Sequence, residues 1–257
     1  MSIEIINGDC LEELKEIADN SIDSIVTDPP YGISFMGKKW DYDVPSVEVW
    51  QECLRVLKPG GHILCACGTR TQHRMAVNLE DAGFEIRDIV AWVYGSGFPK
   101  SLNIGKAVDK LQGNDREVEP NPKAKQQTAA KNGIYGDYEA VSTITKGNSP
   151  YEGWGTALKP AMELWTLARK PLAEKTIAAN VLEYGTGGLN IDGCRVEAEP
   201  ELAKNWNRVQ SENQGITSTG LKAIDLSDRV PAGRFPANIT HDGSDEVVSL
   251  FPETGKG

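Results

Sequence analysis

The residues with the clearest chemistry in this 257-residue chain are Asp28, Pro29, Pro30 and Tyr31. They follow Ile22, Ile25 and Val26, an apolar-rich run with strand character, so the four residues stand where a buried strand ends. In open α/β sheets that edge is where ligands bind. Two successive prolines fix two φ angles and remove two backbone donors. What remains is a stiff bend that presents acceptors, the Asp28 carboxylate and the proline carbonyls, with an aromatic ring directly behind them. This arrangement suits one chemical problem. The exocyclic amine of adenine or cytosine is a poor nucleophile, because its lone pair is delocalised into the ring. Two acceptors for its hydrogens, the Asp28 side chain and the Pro29 carbonyl, favour a more tetrahedral nitrogen with an available lone pair. Tyr31 would stack on a base taken out of its helix. So weak an amine needs an activated sulfonium as methyl donor. The plainer reading is an Asp-Pro turn after a strand, but the full tetrapeptide at such a place is rare by composition.

The elements that must hold this bend follow from periodicity. Ser2 to Asn7 reads as a short strand, and Leu11 to Ala18 as a helix with Leu11, Leu14 and Ile17 three apart. Asn20 and Ser21 break it before the Ile22 strand. Ser46 to Leu57 is a helix with Val49, Trp50, Cys53, Leu54 and Leu57 as its stripe, stopped by Pro59-Gly60-Gly61. His62 to Cys67 is a buried strand, Thr71 to Ala82 a helix capped near Gly83, and Phe84 to Tyr94 a strand. This alternation predicts an α/β half over residues 1–94, with a parallel sheet covered on both faces. Residues 95–160 are polar and rich in Gly, Pro, Asn and Lys, and read as a loop-rich insertion with one helix near Ile104 to Leu111. Residues 161–188 return to the sheet through a strand, Glu163 to Arg169, and a helix, Thr176 to Glu183, before the turn Gly185-Thr186-Gly187-Gly188. Residues 189–257 are polar, with a strand hint at Leu189 to Ile191.

Composition narrows the partners. No apolar run approaches the roughly 20 residues of a membrane span, and the N-terminus lacks the pattern of a signal peptide, which points to the cytosol. Five cysteines without CxxC spacing argue against a metal centre, and Cys65 and Cys67, two apart in a strand, read as buried thiols on one face. A net charge of −10 opposes simple electrostatic attraction to DNA. The distribution is uneven, however. Between Ser96 and Lys131 seven basic residues face four acidic ones, a local +3. Lys100 and Lys106 in that segment, and Lys38 and Lys39 just after the bend, are candidate phosphate contacts, with a solvated loop as the competing reading. Trp154 and Trp206 are candidate stacking residues that would more ordinarily pack locally.

Taken together, Asp28-Pro29-Pro30-Tyr31, Asn7-Gly8-Asp9-Cys10 and Leu57-Lys58-Pro59-Gly60-Gly61 resemble an N6-adenine or N4-cytosine DNA methyltransferase of phage or prophage type. The order is that in which the catalytic motif precedes the glycine-rich cofactor motif. The resemblance implies a Rossmann-like methyltransferase fold, with Ile89 to Tyr94 and Glu163 to Arg169 as later sheet strands that form a hairpin around a variable insertion. It implies S-adenosyl-L-methionine as cofactor, held in part by Asp9, Cys10 and Asp28, and double-stranded DNA with a flipped base as substrate. A restriction endonuclease is an implied partner. An initial Asp in the tetrapeptide points to adenine. The same loop would serve RNA or a protein amide, though those families more often begin the motif with Asn.

The resemblance also sets a requirement that this chain does not meet. A glycine-rich loop should follow a strand and open a helix. Gly95-Ser96-Gly97 is followed by Phe98-Pro99, and Gly185-Thr186-Gly187-Gly188 follows a helix, so both read as turns. The expectation is a sheet lacking the family's first two strands, with only part of the cofactor pocket. The non-enzymatic alternative is a truncated remnant that binds nucleic acid, or nothing, without turnover.

Overall fold

The computed structural model describes residues 3–34, 37–97, 101–122, 130–133, 136–138, 142–196 and 235–251. In chain order the elements are α1 (Cys10–Lys15), β1 (Ile22–Thr27), α2 (Val47–Val56), β2 (Leu57–Gly68), α3 (Gln72–Asp81) and β3 (Glu85–Val93). There follow α4 (Ile104–Gln112), β4 (Glu117–Pro120), β5 (Ala130–Gly133), β6 (Gly136–Tyr138) and β7 (Thr143–Lys146). The chain then enters β8 (Met162–Arg169), α5 (Ile177–Tyr184), β9 (Ile239–His241) and α6 (Asp245–Val248). Residues 1–95 with 162–257 make one compact unit and residues 96–161 a second.

The first unit is built on a five-stranded sheet of order β1-β2-β8-β3-β9. β1 runs parallel to β2, and β3 parallel to β9. β8 lies between β2 and β3, antiparallel to both. This mixed α/β sheet, with β3 and β8 paired across the insertion, is the Rossmann-like arrangement the resemblance implies.

Helix stripes decide which face of the sheet is dry. α2 buries Trp50, Cys53 and Val56, spaced three apart, and α3 buries Met75 and Leu79, spaced four apart. Both helices join the core that holds Ile63, Cys65, Cys67 and Ala168. Cys65 and Cys67 are fully buried and free, and burial pushes the thiol of neighbouring Cys53 up to about 12. The opposite face carries Leu64, Trp165 and Leu167, only partly covered, and Val26 beside Leu64 is 70% exposed. The expectation of a sheet covered on both faces is therefore met on one face only.

Three further expectations are corrected. Residues 3–7 form no strand, and Ile3 and Ile5 are about nine-tenths exposed. Alternating apolar residues become a strand only against a partner edge, and none pairs with them among the described residues. α1 stops at Lys15 rather than Ala18, because the Arg55 guanidinium takes the carbonyls of Leu14 (2.7 Å) and Ile17 (2.9 Å). Leu189 to Ile191 is a turn that leads into a short 3-10 segment, Asp192–Cys194, through the local bonds Ile191 N–H to Leu189 and Cys194 N–H to Ile191.

Pro59-Gly60-Gly61 also behaves differently from a stop. The strand runs through it with an irregular register between Ile22 and Ser24 of β1. Three side chains brace the irregularity. Lys170 Nζ donates to the Leu57 carbonyl (2.7 Å), while Asn180 Nδ2 (2.8 Å) and Thr186 Oγ1 donate to the Pro59 carbonyl.

The second unit holds more order than one helix. β4 pairs with β7 and β5 with β6, each as a two-stranded antiparallel sheet. Arg116 ties the unit together by pairing with Asp109 on α4 and with Glu152 (2.7 Å), and by donating to the Thr145 carbonyl (3.0 Å). One of the seven basic residues counted in this segment is therefore committed to internal pairing.

Candidate active site

The bend after β1 begins where the strand loses its ladder partner. Thr27 is the last residue of β1 in register with β2, opposite Cys65, and Asp28 follows it into solvent. Pro29, Pro30 and Tyr31 are half-buried, and Tyr31 packs against the core beneath the sheet edge. The Asp28 carboxylate lies close to the Tyr31 hydroxyl. Burial first, and then the nearby carboxylates of Asp28 and Glu163, hold the phenol far above its ordinary value, so it stays neutral at all working pH.

Two glycines make this geometry possible. Gly32 has φ +67°, and a Cβ there would come within 2.8 Å of the Val44 backbone nitrogen. Gly68, the last residue of β2, faces the Tyr31 ring, whose Cδ2 lies 3.2 Å from where a Cβ would stand. The turn after Tyr31 is pinned by Asp41, almost fully buried, whose Oδ1 accepts the Gly32 N–H at 2.9 Å. The Asp41 carbonyl accepts the Ser34 N–H at 2.7 Å.

Register brings a further group to the same edge. On β8, Glu163 stands opposite Gly68 on one side and Trp92 on the other. Partial burial, and then the charge of Asp28, push the Glu163 carboxyl above the ordinary carboxylate range. Asp41, Gly68 and Glu163 were not singled out from sequence. Asp41 is one of 37 acidic residues, and the meaning of Gly68 and Glu163 depends on which strand lies beside which.

The remaining site residues fall in separate places. Asp9 is the N-cap of α1, its Oδ1 accepting the Leu11 N–H at 3.0 Å, and Asp9 and Cys10 are both exposed. Lys38 and Lys39 are exposed on the turn that carries Asp41, beside Trp40, which is 62% exposed. Lys106 is exposed on α4 of the second unit, and its backbone N–H is capped by Asn103 Oδ1 at 2.9 Å. In that unit Trp154 packs edge-on against Tyr151, with ring centroids 5.5 Å apart. Lys100 and Trp206 lie outside the described residues. Among the described residues no cluster of His, Cys, Asp and Glu could hold a metal ion, and no helix is long and apolar enough to cross a membrane.

Comparison with known proteins bears on this geometry. The family profile described as DNA methylase, of N6/N4 type, matches residues 22–214, three quarters of the chain. Type II methyltransferase M.BglII of Bacillus subtilis is 34% identical over 107 residues, covering 37% of this chain and 30% of its own length. Type II methyltransferase M.HpaI of Haemophilus parainfluenzae is 33% identical over 122 residues, covering 43% of this chain and 38% of its own. The chain thus spans about a third of the length of the curated relatives it matches. Among solved structures, a DNA modification methylase of Thermus thermophilus aligns with a TM-score of 0.37 at 17% identity, over 79% of this chain and 72% of that one.

Proposed function

The chain belongs to the N6/N4 DNA methylase family, and from that premise we propose that it transfers a methyl group from S-adenosylmethionine to the exocyclic amine of a flipped base in DNA, with adenine N6 as the acceptor. The observation that carries this reading is the Asp28-Pro29-Pro30-Tyr31 bend. It lies at the end of β1, with an exposed carboxylate and a half-buried ring close to it. The initial Asp supports adenine over cytosine. The Type II naming of the relatives supports a restriction endonuclease as partner.

Asp28 and the Pro29 carbonyl accept the two amine hydrogens. Because both acceptors are held by proline geometry and by the Asp41 bond to Gly32, they need no reorganisation as positive charge builds on nitrogen. Tyr31 supplies the platform for the base. Its ring is set by contact with Gly68, so the platform height is fixed by the absence of a side chain there. Lys38 and Lys39, exposed on the next turn, hold phosphates flanking the flipped nucleotide.

The donor set fits the cofactor. Two carboxylates, Asp28 and Glu163, interact at one sheet edge, a setting that favours a cationic sulfonium. Asp9, exposed at the start of α1 with Cys10 beside it, offers a carboxylate to the adenine amine of the same molecule. When bound, S-adenosylmethionine supplies the activated methyl group that an unaided amine requires.

The test is labelled methyl transfer to DNA, RNA and protein, with Asp28→Ala as control. Transfer to DNA that Asp28→Ala loses entirely, with unchanged circular dichroism, is the expected outcome. Equal transfer by Asp28→Ala would refute the assignment, and transfer to RNA or protein in preference to DNA would move the substrate class. Calorimetry with S-adenosylmethionine alone separates an enzyme from a chain that binds nucleic acid without turnover.

A further inference from the structure

The proposed reaction leaves one proton unassigned. A primary exocyclic amine that gains a methyl group carries a positive charge and one hydrogen too many. Asp28 and Pro29 accept the amine hydrogens, and Asp28 also lies close to the Tyr31 hydroxyl. A further acceptor at the same edge would let that proton leave the site.

The sheet register places one there. Directly opposed residues of antiparallel strands send their side chains to the same face. Glu163 is opposed to Gly68 and to Trp92. Gly68 has no side chain, and the Tyr31 ring fills that position at 3.2 Å from the absent Cβ. Glu163 and Trp92 therefore share one face, and the Tyr31 ring meets that end of the sheet at Gly68. They also share one end of the sheet. β1, β2 and β3 run in the same direction and end at Thr27, Gly68 and Val93, while antiparallel β8 begins there, with Glu163 its second residue. The titratable groups that act on Glu163 are Asp28 and Tyr31 from the bend and Tyr94 from the end of β3; Gly68 and Trp92 bring none.

We propose that Glu163 is the second carboxylate of the amine pocket and the acceptor of the proton that the methylated nitrogen loses. The inference rests on the methyl-transfer reading above. In the step, the nitrogen lone pair forms the N–C bond, and the S–C electron pair stays on the donor sulfur. The N–H bond then breaks, its electron pair returns to nitrogen as a lone pair, and the proton moves to the Glu163 carboxylate. The neutral carboxyl passes it to solvent before the next turnover. A carboxyl whose affinity for protons is raised by partial burial, and then by a neighbouring charge, is well matched to this task. The half-buried position of Glu163 keeps a route to water.

The experiment compares the unmodified chain with Glu163→Gln, Glu163→Asp and Asp28→Ala. Single-turnover methyl transfer from labelled S-adenosylmethionine to DNA is followed from pH 5 to 9. The Glu163 carboxyl is followed separately in the ligand-free chain by carbon NMR, its resonance identified by its loss in Glu163→Gln. The expected result has three parts. The resonance titrates above the ordinary carboxylate range. Glu163→Gln slows transfer tenfold or more and removes the acid limb of the rate profile, with DNA affinity changed less than twofold. Glu163→Asp recovers part of the rate and the limb. An unchanged rate and limb in Glu163→Gln, or a slower rate with the limb unmoved, overturns the role of Glu163 while the methyl-transfer reading stands on the loss in Asp28→Ala. Undiminished transfer by Asp28→Ala, or none by the unmodified chain, overturns both.

Discussion

Gly68 lacks a side chain at the point where Tyr31 needs room, and the consequence can be measured. A Cβ at position 68 would stand 3.2 Å from the ring. That is close enough that the ring must turn or move out by a few tenths of an ångström. Misplacement on this scale matters more to a stacked, oriented substrate than to folding. Gly68→Ala is therefore expected to lower methyl transfer by about tenfold while changing stability by less than about 1 kcal/mol. Single-turnover rates together with urea denaturation check both halves. Asp41 acts through the backbone instead. It satisfies the Gly32 N–H from a nearly fully buried position, so the turn that follows Tyr31 is specified by one carboxylate nine residues further on.

Among the elements, β2 and β8 carry the central pairing, and a pH dependence follows from it. His62 lies directly opposite Arg169 in the ladder, half-buried, with Arg87 also near. Burial first, and then the two guanidinium charges, depress the imidazole below its ordinary value of 6.5. In the unfolded chain His62 takes up a proton as pH falls below that value, whereas in the folded chain it resists. Stability is thus fully present above the unfolded value and is lost as pH falls through the depressed one. Urea midpoints should drop between pH 7.5 and 5.5, and His62→Gln should flatten that drop. An identical drop in the variant would assign the effect to another group. Arg169 itself is anchored by Glu85 at 2.6 Å, so its charge is fixed in place beside His62.

At the scale of the whole molecule, the chain divides into two units whose internal contacts differ in kind. The first is held by an apolar layer under a sheet, with Trp50, Ile63, Met75 and Leu79 fully buried or nearly so. The second is held by short strands and by the Arg116 cluster with Asp109 and Glu152, in which Asp109 is only 1% exposed. Arg116→Met leaves a buried carboxylate without its guanidinium, which destabilises this unit. Hydrogen exchange should show faster amide exchange across 101–122 and 142–160, with the β2 and β8 amides unchanged. Acceleration in β2 and β8 to the same degree would mean that the units unfold as one.

What local pattern determines was readable before any fold. α2, α3, α4 and α5 fall within a residue or two of their apolar stripes and caps, and the α/β class follows from the spacing of strand and helix in the first 94 residues. The proline bend was equally legible, because its stiffness and its acceptors belong to four adjacent residues. Properties that require a neighbour were not legible. Ser2 to Asn7 has the alternation of a strand but no partner edge, and the short strands β4 to β7 are too brief for a period to show. Only the tertiary structure decided that one sheet face is buried and the other partly open, that Asp41 locks the turn, and that Glu163 stands at the start of β8 near Tyr31 and Trp92. The reason is physical: periodicity is set along the chain by covalent geometry, whereas pairing register, burial and the approach of two carboxylates arise between segments up to about a hundred and fifty residues apart.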